Sequence, residues 1–292
     1  MVTVGLDSDG GEMTTPGAPT LLLIHGFLDD ASVWDGLVES LGGEVGAVRY
    51  DLPGFGSRSG SIAEALGTTL DSLADEASDV VGGIDGPVIV VGQSLGTQIA
   101  ELVASRHPDK VHGLVLITPV PLGGTRLPDE VVAPFGALGG DRGAGRRVRA
   151  QLSPHMSEEQ LDRLADIGVP VSADVTAHYA DMWNTGVPTA PTTSAFDGPV
   201  LAIRGGADGF VDQQLVDVIT PRFHQVEVKV LERGGHWVHV ECPGAVATMI
   251  LDFADSVTFP PVASLAPVTF PPVASLAPVT FPPSLRSPRS RR

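Results

Sequence analysis

The chain is predicted to be an α/β protein, a mostly parallel, doubly wound sheet interrupted by a helical insertion, and three observations carry the prediction. Short apolar runs alternate with stretches of helical periodicity through the first part of the chain. The connections are of helix length, so neighbouring strands must run parallel, joined by right-handed crossovers. One apolar run, Val88-Ile89-Val90-Val91, passes through Gly92-Gln93-Ser94-Leu95-Gly96 into the helical pattern Thr97 to Ala104, giving strand, sharp turn and helix in immediate succession.

Composition limits the function classes. A chain of 292 residues that is 42% hydrophobic and 18% charged has enough apolar material for one large core. Its 35 acidic and 18 basic residues give a formal charge of -17, which argues against nucleic acid or an anionic membrane as partner. Cys242 is the only cysteine, so no disulfide forms within the chain and no cysteine-based metal site is assembled. No stretch is long and apolar enough to span a bilayer, and residues 1–9 lack the basic then apolar pattern of a secretory leader; the expectation is a cytoplasmic protein.

The first strand is expected at Leu21 to Ile24, ending in the loop His25-Gly26-Phe27. A helix follows from Ser32, its expected cap, with Trp34, Leu37, Val38 and Leu41 on one face, and Gly42-Gly43 stops it. A strand over Ala47 to Tyr50 runs into the turn-rich loop Asp51-Leu52-Pro53-Gly54-Phe55-Gly56, where Asp51 reads as a turn residue. A single helix from Leu66 to Val81 leads to the Val88 strand, and Val111 to Ile117 is the next strand. Between residues 122 and 195 no buried strand is evident; helices at Glu158 to Ile167 and Val175 to Trp183 mark an insertion over the active edge of the sheet. Strands resume at Val200 to Arg204 and Val226 to Leu231, so the core is expected over residues 1–121 and 196–256. Residues 257–292 form a proline-rich tail in which Val257 to Pro267 recurs unchanged from Val268 to Pro278; it is expected to be extended and unpacked.

The sharp turn matters because flanking glycines let the backbone hold a serine in a strained conformation, and the helix starting there aims its free amides at a developing negative charge. A serine hydroxyl is a poor nucleophile and needs a base with a carboxylate behind it. The chain supplies Gly205-Gly206-Ala207-Asp208 after one strand and Gly234-Gly235-His236 after the next, in the order Ser, Asp, His. Bland alternatives stay open: Ser94 as a helix-capping turn serine, His239 in place of His236, and Asp212 in place of Asp208.

Five ordered pieces, His25-Gly26-Phe27, Asp51 to Gly56, Gly92 to Gly96, Gly205 to Asp208 and Gly235-His236, together resemble the α/β-hydrolase superfamily, in its compact esterase, lactonase and cofactor-free haloperoxidase type, over residues 20–254. The resemblance implies Ser94 as nucleophile, His236 as base and Asp208 as its orienting acid. It also implies an oxyanion hole made by the backbone N–H groups of Phe27 and Leu95, with His25 anchoring its loop. The implied reaction is cleavage of a small-molecule ester or lactone through an acyl-enzyme, needing neither metal nor cofactor. Perhydrolysis, carbon-carbon bond hydrolysis or a silent ligand receptor on the same fold are the alternatives. Phe135, Met156, Tyr179, Met182 and Trp183 in the insertion are expected either to line the substrate pocket or to form the insertion's own core.

Overall fold

The computed structural model describes residues 18–258, and the proline-rich repeat from residue 259 onward lies outside them. Six strands form one sheet: β1 (Thr20–Ile24), β2 (Gly46–Arg49), β3 (Val88–Gln93), β4 (Val111–Ile117), β5 (Val200–Gly205) and β6 (Val226–Leu231). Their order is β2-β1-β3-β4-β5-β6, and every pairing is parallel. Successive side chains on a strand face opposite sides. Leu22 and Ile24 therefore join one core cluster with Val90 and Leu116, while Leu21 and Leu23 join a second with Ile89, Val115 and Ile203. Both faces of the central strands β1, β3, β4 and β5 are covered, which is why they read as near-continuous apolar runs, whereas the edge strand β6 alternates Val with Glu227 and Lys229 and stays partly exposed.

On the first face lie α3 (Leu70–Gly83) and α4 (Leu95–Arg106); on the second, α1 (Asp35–Ser40) and α11 (Pro243–Ser256) contribute Leu37, Val246 and Ile250. Two expectations are corrected. Residues 66–81 are not one helix: α2 (Ile62–Leu66) ends at Gly67, and α3 begins afresh because Thr69 and Ser72 form a capping box. The chain before α1 opens as a 3-10 turn at Ala31–Trp34 whose cap is Asp30, not Ser32; the Asp30 carboxylate accepts from the Ser32 amide at 2.9 Å and hydroxyl at 2.6 Å.

Four helices lie between β4 and β5: α5 (Asp129–Gly136), α6 (Arg142–Leu152), α7 (Glu158–Gly168) and α8 (Ala173–Thr185). They share the cores of the sheet: Val175, Tyr179 and Trp183 of α8 enter the first cluster, and Leu161 and Leu164 of α7 the second. Short helices α9 (Gln213–Ile219) and α10 (Val238–Glu241) complete the described segment. No helix among the described residues is long and apolar enough to cross a membrane.

Candidate active site

The sheet order reverses between β1 and β3, and side chains from the ends of these strands and of β5 and β6 meet there, the usual ligand crevice of an open α/β sheet. Ser94 follows β3 with φ 51° and ψ -120°, a left-handed conformation that costs a non-glycine residue free energy and persists only when its surroundings enforce it. Packing supplies that enforcement. A Cβ on Gly92 would sit 2.2 Å from the Gly96 carbonyl oxygen, and one on Gly96 would sit 2.3 Å from that of Ile24. Only glycines let β1, β3 and α4 approach this closely. The Ser94 amide donates to the Ile117 carbonyl at 3.0 Å, and its carbonyl accepts from the Thr97 amide and hydroxyl at 2.8 and 2.6 Å.

His236 stands beyond β6 with Nδ1 2.9 Å from Asp208 Oδ2. The other carboxylate oxygen of Asp208 accepts from the Phe210 and Val211 amides at 2.7 and 3.0 Å. Burial alone would lift the Asp208 pKa. The attraction of His236, its hydrogen bond and the two amides outweigh burial and hold the carboxyl below its ordinary value. An ionised carboxylate only accepts, so the His236 Nδ1 carries the proton and leaves Nε2 as the basic nitrogen. The rivals lie elsewhere. Asp212 caps α9 through the Leu215 amide at 2.9 Å. His239 is fully buried, its ring centroid 4.6 Å from that of Trp34, and neither ring nitrogen has a hydrogen-bond partner among the described residues.

Gln93, which the sequence reading passed over, ties the two halves together. Its Nε2 donates to the His236 carbonyl at 3.1 Å and to Thr118 Oγ1 at 3.2 Å. The available signal was a glutamine at the end of an otherwise apolar strand. His25 accepts from the Leu52 amide at Nε2, 3.0 Å, so its proton resides on Nδ1, 2.8 Å from the Gly26 carbonyl; the ring pins the loop carrying Phe27. Asp51 binds the Ala31 amide at 2.8 Å and both the amide and hydroxyl of Ser57 at 2.8 and 2.7 Å, bracing the neighbouring loop.

Ser94, His236 and Phe27 line one cleft with Leu28, Leu138, Phe210 and Trp237 among its apolar walls. Of the insertion residues singled out above, Phe135 and Trp183 line this cleft, their rings 5.8 Å apart and edge to face. Met156, Tyr179 and Met182 do not; they are buried in the packed interior, where the Tyr179 hydroxyl donates to the Pro53 carbonyl at 2.9 Å.

The alpha/beta hydrolase family matches residues 21–249. Esterase Rv0045c of Mycobacterium tuberculosis is 27% identical over 263 residues, spanning 82% of this chain and 84% of its own. A pimeloyl-acyl-carrier-protein methyl ester esterase of Neisseria meningitidis serogroup A is 26% identical over 255 residues, spanning 80% and 76%. Among solved structures, an esterase of Exiguobacterium antarcticum superposes with a TM-score of 0.72 at 16% identity, covering 82% of this chain and 92% of that one, a likeness of fold.

Proposed function

The chain belongs to the alpha/beta hydrolase family, and from that premise we propose that it is a serine hydrolase cleaving a carboxylic ester, lactones included, through an acyl-enzyme on Ser94. The observation that carries the reading is the pairing of His236 Nδ1 with Asp208 at 2.9 Å on the cleft where Ser94 stands in its enforced turn. His236 Nε2 takes the hydroxyl proton as Ser94 Oγ bonds to the ester carbon. The carbonyl electrons move onto oxygen, where the amides of Leu95, first residue of α4, and Phe27 receive them; each such donor supplies about 3 kcal/mol of transition-state stabilisation. The tetrahedral species collapses, His236 gives its proton to the departing alkoxide, and water repeats the cycle on the acyl group.

Apart from Gln93 and Arg149, the cleft walls beside the reacting groups are aromatic and aliphatic, which suits an uncharged, apolar acyl or alcohol group of small to medium size. Helices α5, α6 and α8 supply part of those walls, so residues 122–195 are read as the cover of the site. A reducing compartment, suggested by the single Cys242, belongs to the same proposal. The test is a panel of p-nitrophenyl esters of increasing chain length, methyl esters and lactones, run on wild type and Ser94→Ala together with a fluorophosphonate probe. Turnover and labelling in wild type, both abolished in Ser94→Ala, are expected. Folded wild type that neither turns over an ester nor takes the label overturns the reading.

A further inference from the structure

Helix α6 ends against both loops that carry the reacting groups. The Leu152 carbonyl accepts from the His236 amide at 2.9 Å, and Ser153 Oγ accepts from the Trp237 amide at 3.0 Å. One turn earlier, Arg149 is 1% exposed and reaches the other loop: its Nη2 donates to the Leu28 carbonyl at 2.6 Å and to Asp29 Oδ1 at 3.1 Å. The second oxygen of Asp29 accepts from the Trp237 indole Nε1 at 2.7 Å, and the guanidinium lies 5.3 Å from the centroid of that same ring. One carboxylate is thus shared by the insertion and by the residue that follows His236. Leu28 itself holds φ 64°, a left-handed conformation unfavourable for leucine, directly after the Phe27 amide. Grasping its carbonyl opposes relaxation of that turn.

A buried arginine on the cleft wall invites a simpler role, binding an anionic substrate group. Geometry argues otherwise: the Arg149 Nη2 already donates to the Leu28 carbonyl and to the fully buried Asp29, so a substrate anion would have to displace partners built into the fold. We propose that Arg149 is a positioning residue which, through Asp29 and Trp237, locks the Phe27–Leu28 turn and the His236 loop into one frame, so that oxyanion donor and base are set together by the inserted helix. The proposal rests on the hydrolase reading above. It makes the end of α6 a fixed brace, and confines any opening of the cover to other parts of the insertion.

The test compares Arg149→Met, Arg149→Lys and Trp237→Phe, and the Arg149→Met/Trp237→Phe double variant, in the full chain on the best ester of the panel. Arg149→Met is expected to lower kcat about tenfold or more with KM within about twofold, because misplacing the donor affects the transition state more than ground-state binding. Trp237→Phe is expected to behave likewise, the double variant to be no slower than the worse single one, and Arg149→Lys to recover part of the loss. A raised KM at unchanged kcat, additive losses, or unchanged kcat in a folded Arg149→Met protein overturns the proposal. Should Arg149→Met not fold, Trp237→Phe decides alone, unchanged kcat overturning the brace. Wild type inert toward every ester and the fluorophosphonate counts against the hydrolase reading instead. In that event the brace is judged by the Trp237 indole proton resonance, identified by its loss in Trp237→Phe: an upfield move in Arg149→Lys supports the coupling, and an unmoved one overturns it.

Discussion

Asp208 is buried, and three hydrogen bonds converge on its two oxygens, all of them favouring the charged form. Burial opposes this and loses, so its pKa in the folded chain lies below the ordinary 3.8. A depressed carboxylate pKa contributes stability that is present above the unfolded value and lost as pH falls through the folded one. The acid limb of activity should therefore not come from protonation of Asp208. Asp208→Asn is expected to lower kcat by about 10³-fold or more, since an amide can donate to Nδ1 and favour the opposite imidazole tautomer; steady-state kinetics near neutral pH check it. Gln93→Leu, which frees the His236 carbonyl of one donor, is expected to cost about 1 kcal/mol, or severalfold in kcat, with the melting curve as control for folding. Ser94, Asp208 and His236 were legible as candidates because each stands in a glycine-bearing turn directly after an apolar run. Gln93, Arg149 and Asp29 were not, because what they do is set by distant partners: Asp29 meets Arg149 120 positions later and Trp237 208 positions later. No local pattern encodes such contacts.

At the scale of elements, apolar runs and caps were the readable signals and long-range packing was not. The central strands β1, β3, β4 and β5 announce themselves as runs rich in Val, Ile and Leu, while the edge strands β2, with Gly46 and Arg49 at its ends, and β6, with Glu227 and Lys229 between its valines, carry a weaker signal. Helix α7 is legible from its apolar spacing, and Ser157 and Gln160 close a capping box on it. Helix α6 escapes because Arg142-Gly143-Ala144-Gly145-Arg146-Arg147-Val148-Arg149 shows few apolar positions and two glycines, each unfavourable in a helix interior by about 1 kcal/mol. It is held instead by the Asp141 cap, by Arg142 and Arg146 paired with Asp162, Asp166 and Glu158 of α7, and by buried Arg149. Those exposed pairs are individually weak. The split between α2 and α3 was missed for a different reason: Leu66 and Leu70 keep helical spacing across the break, while Thr69 and Ser72 state a new start. Thr69→Ala is expected to destabilise the chain by about 1 kcal/mol, lowering the melting temperature by about 2–4 °C. An unchanged melting curve would remove the capping box from the account of where α3 begins.

Across the whole molecule, the sheet's topology fixes the place of the site and its cores fix how the fold responds to acid. His239, on α10, is fully buried against Trp34 of the second core, and burial, with a further contribution from the His236 charge, lowers its pKa from 6.5 to about 3. In the unfolded chain the same imidazole takes up a proton near its ordinary 6.5. A depressed histidine pKa means that the unfolded state binds more protons between these two values, so the stability His239 permits is complete above pH 6.5 and erodes as pH falls toward 3. The slope approaches about 1.4 kcal/mol per pH unit, or about 3–5 °C in melting temperature. Buried Asp29 and Glu241 work in the opposite direction, because burial raises their pKa values and the folded state gains protons first as pH falls. The difference between wild type and His239→Leu isolates the histidine. The substitution sacrifices no hydrogen bond among the described residues, so the two proteins should melt within a few degrees of each other at pH 8. By pH 5 the leucine variant should be the more stable by about 2 kcal/mol. Parallel melting temperatures from pH 8 to pH 5 would mean that His239 is protonated inside the fold, and that the second core is open to solvent at α10.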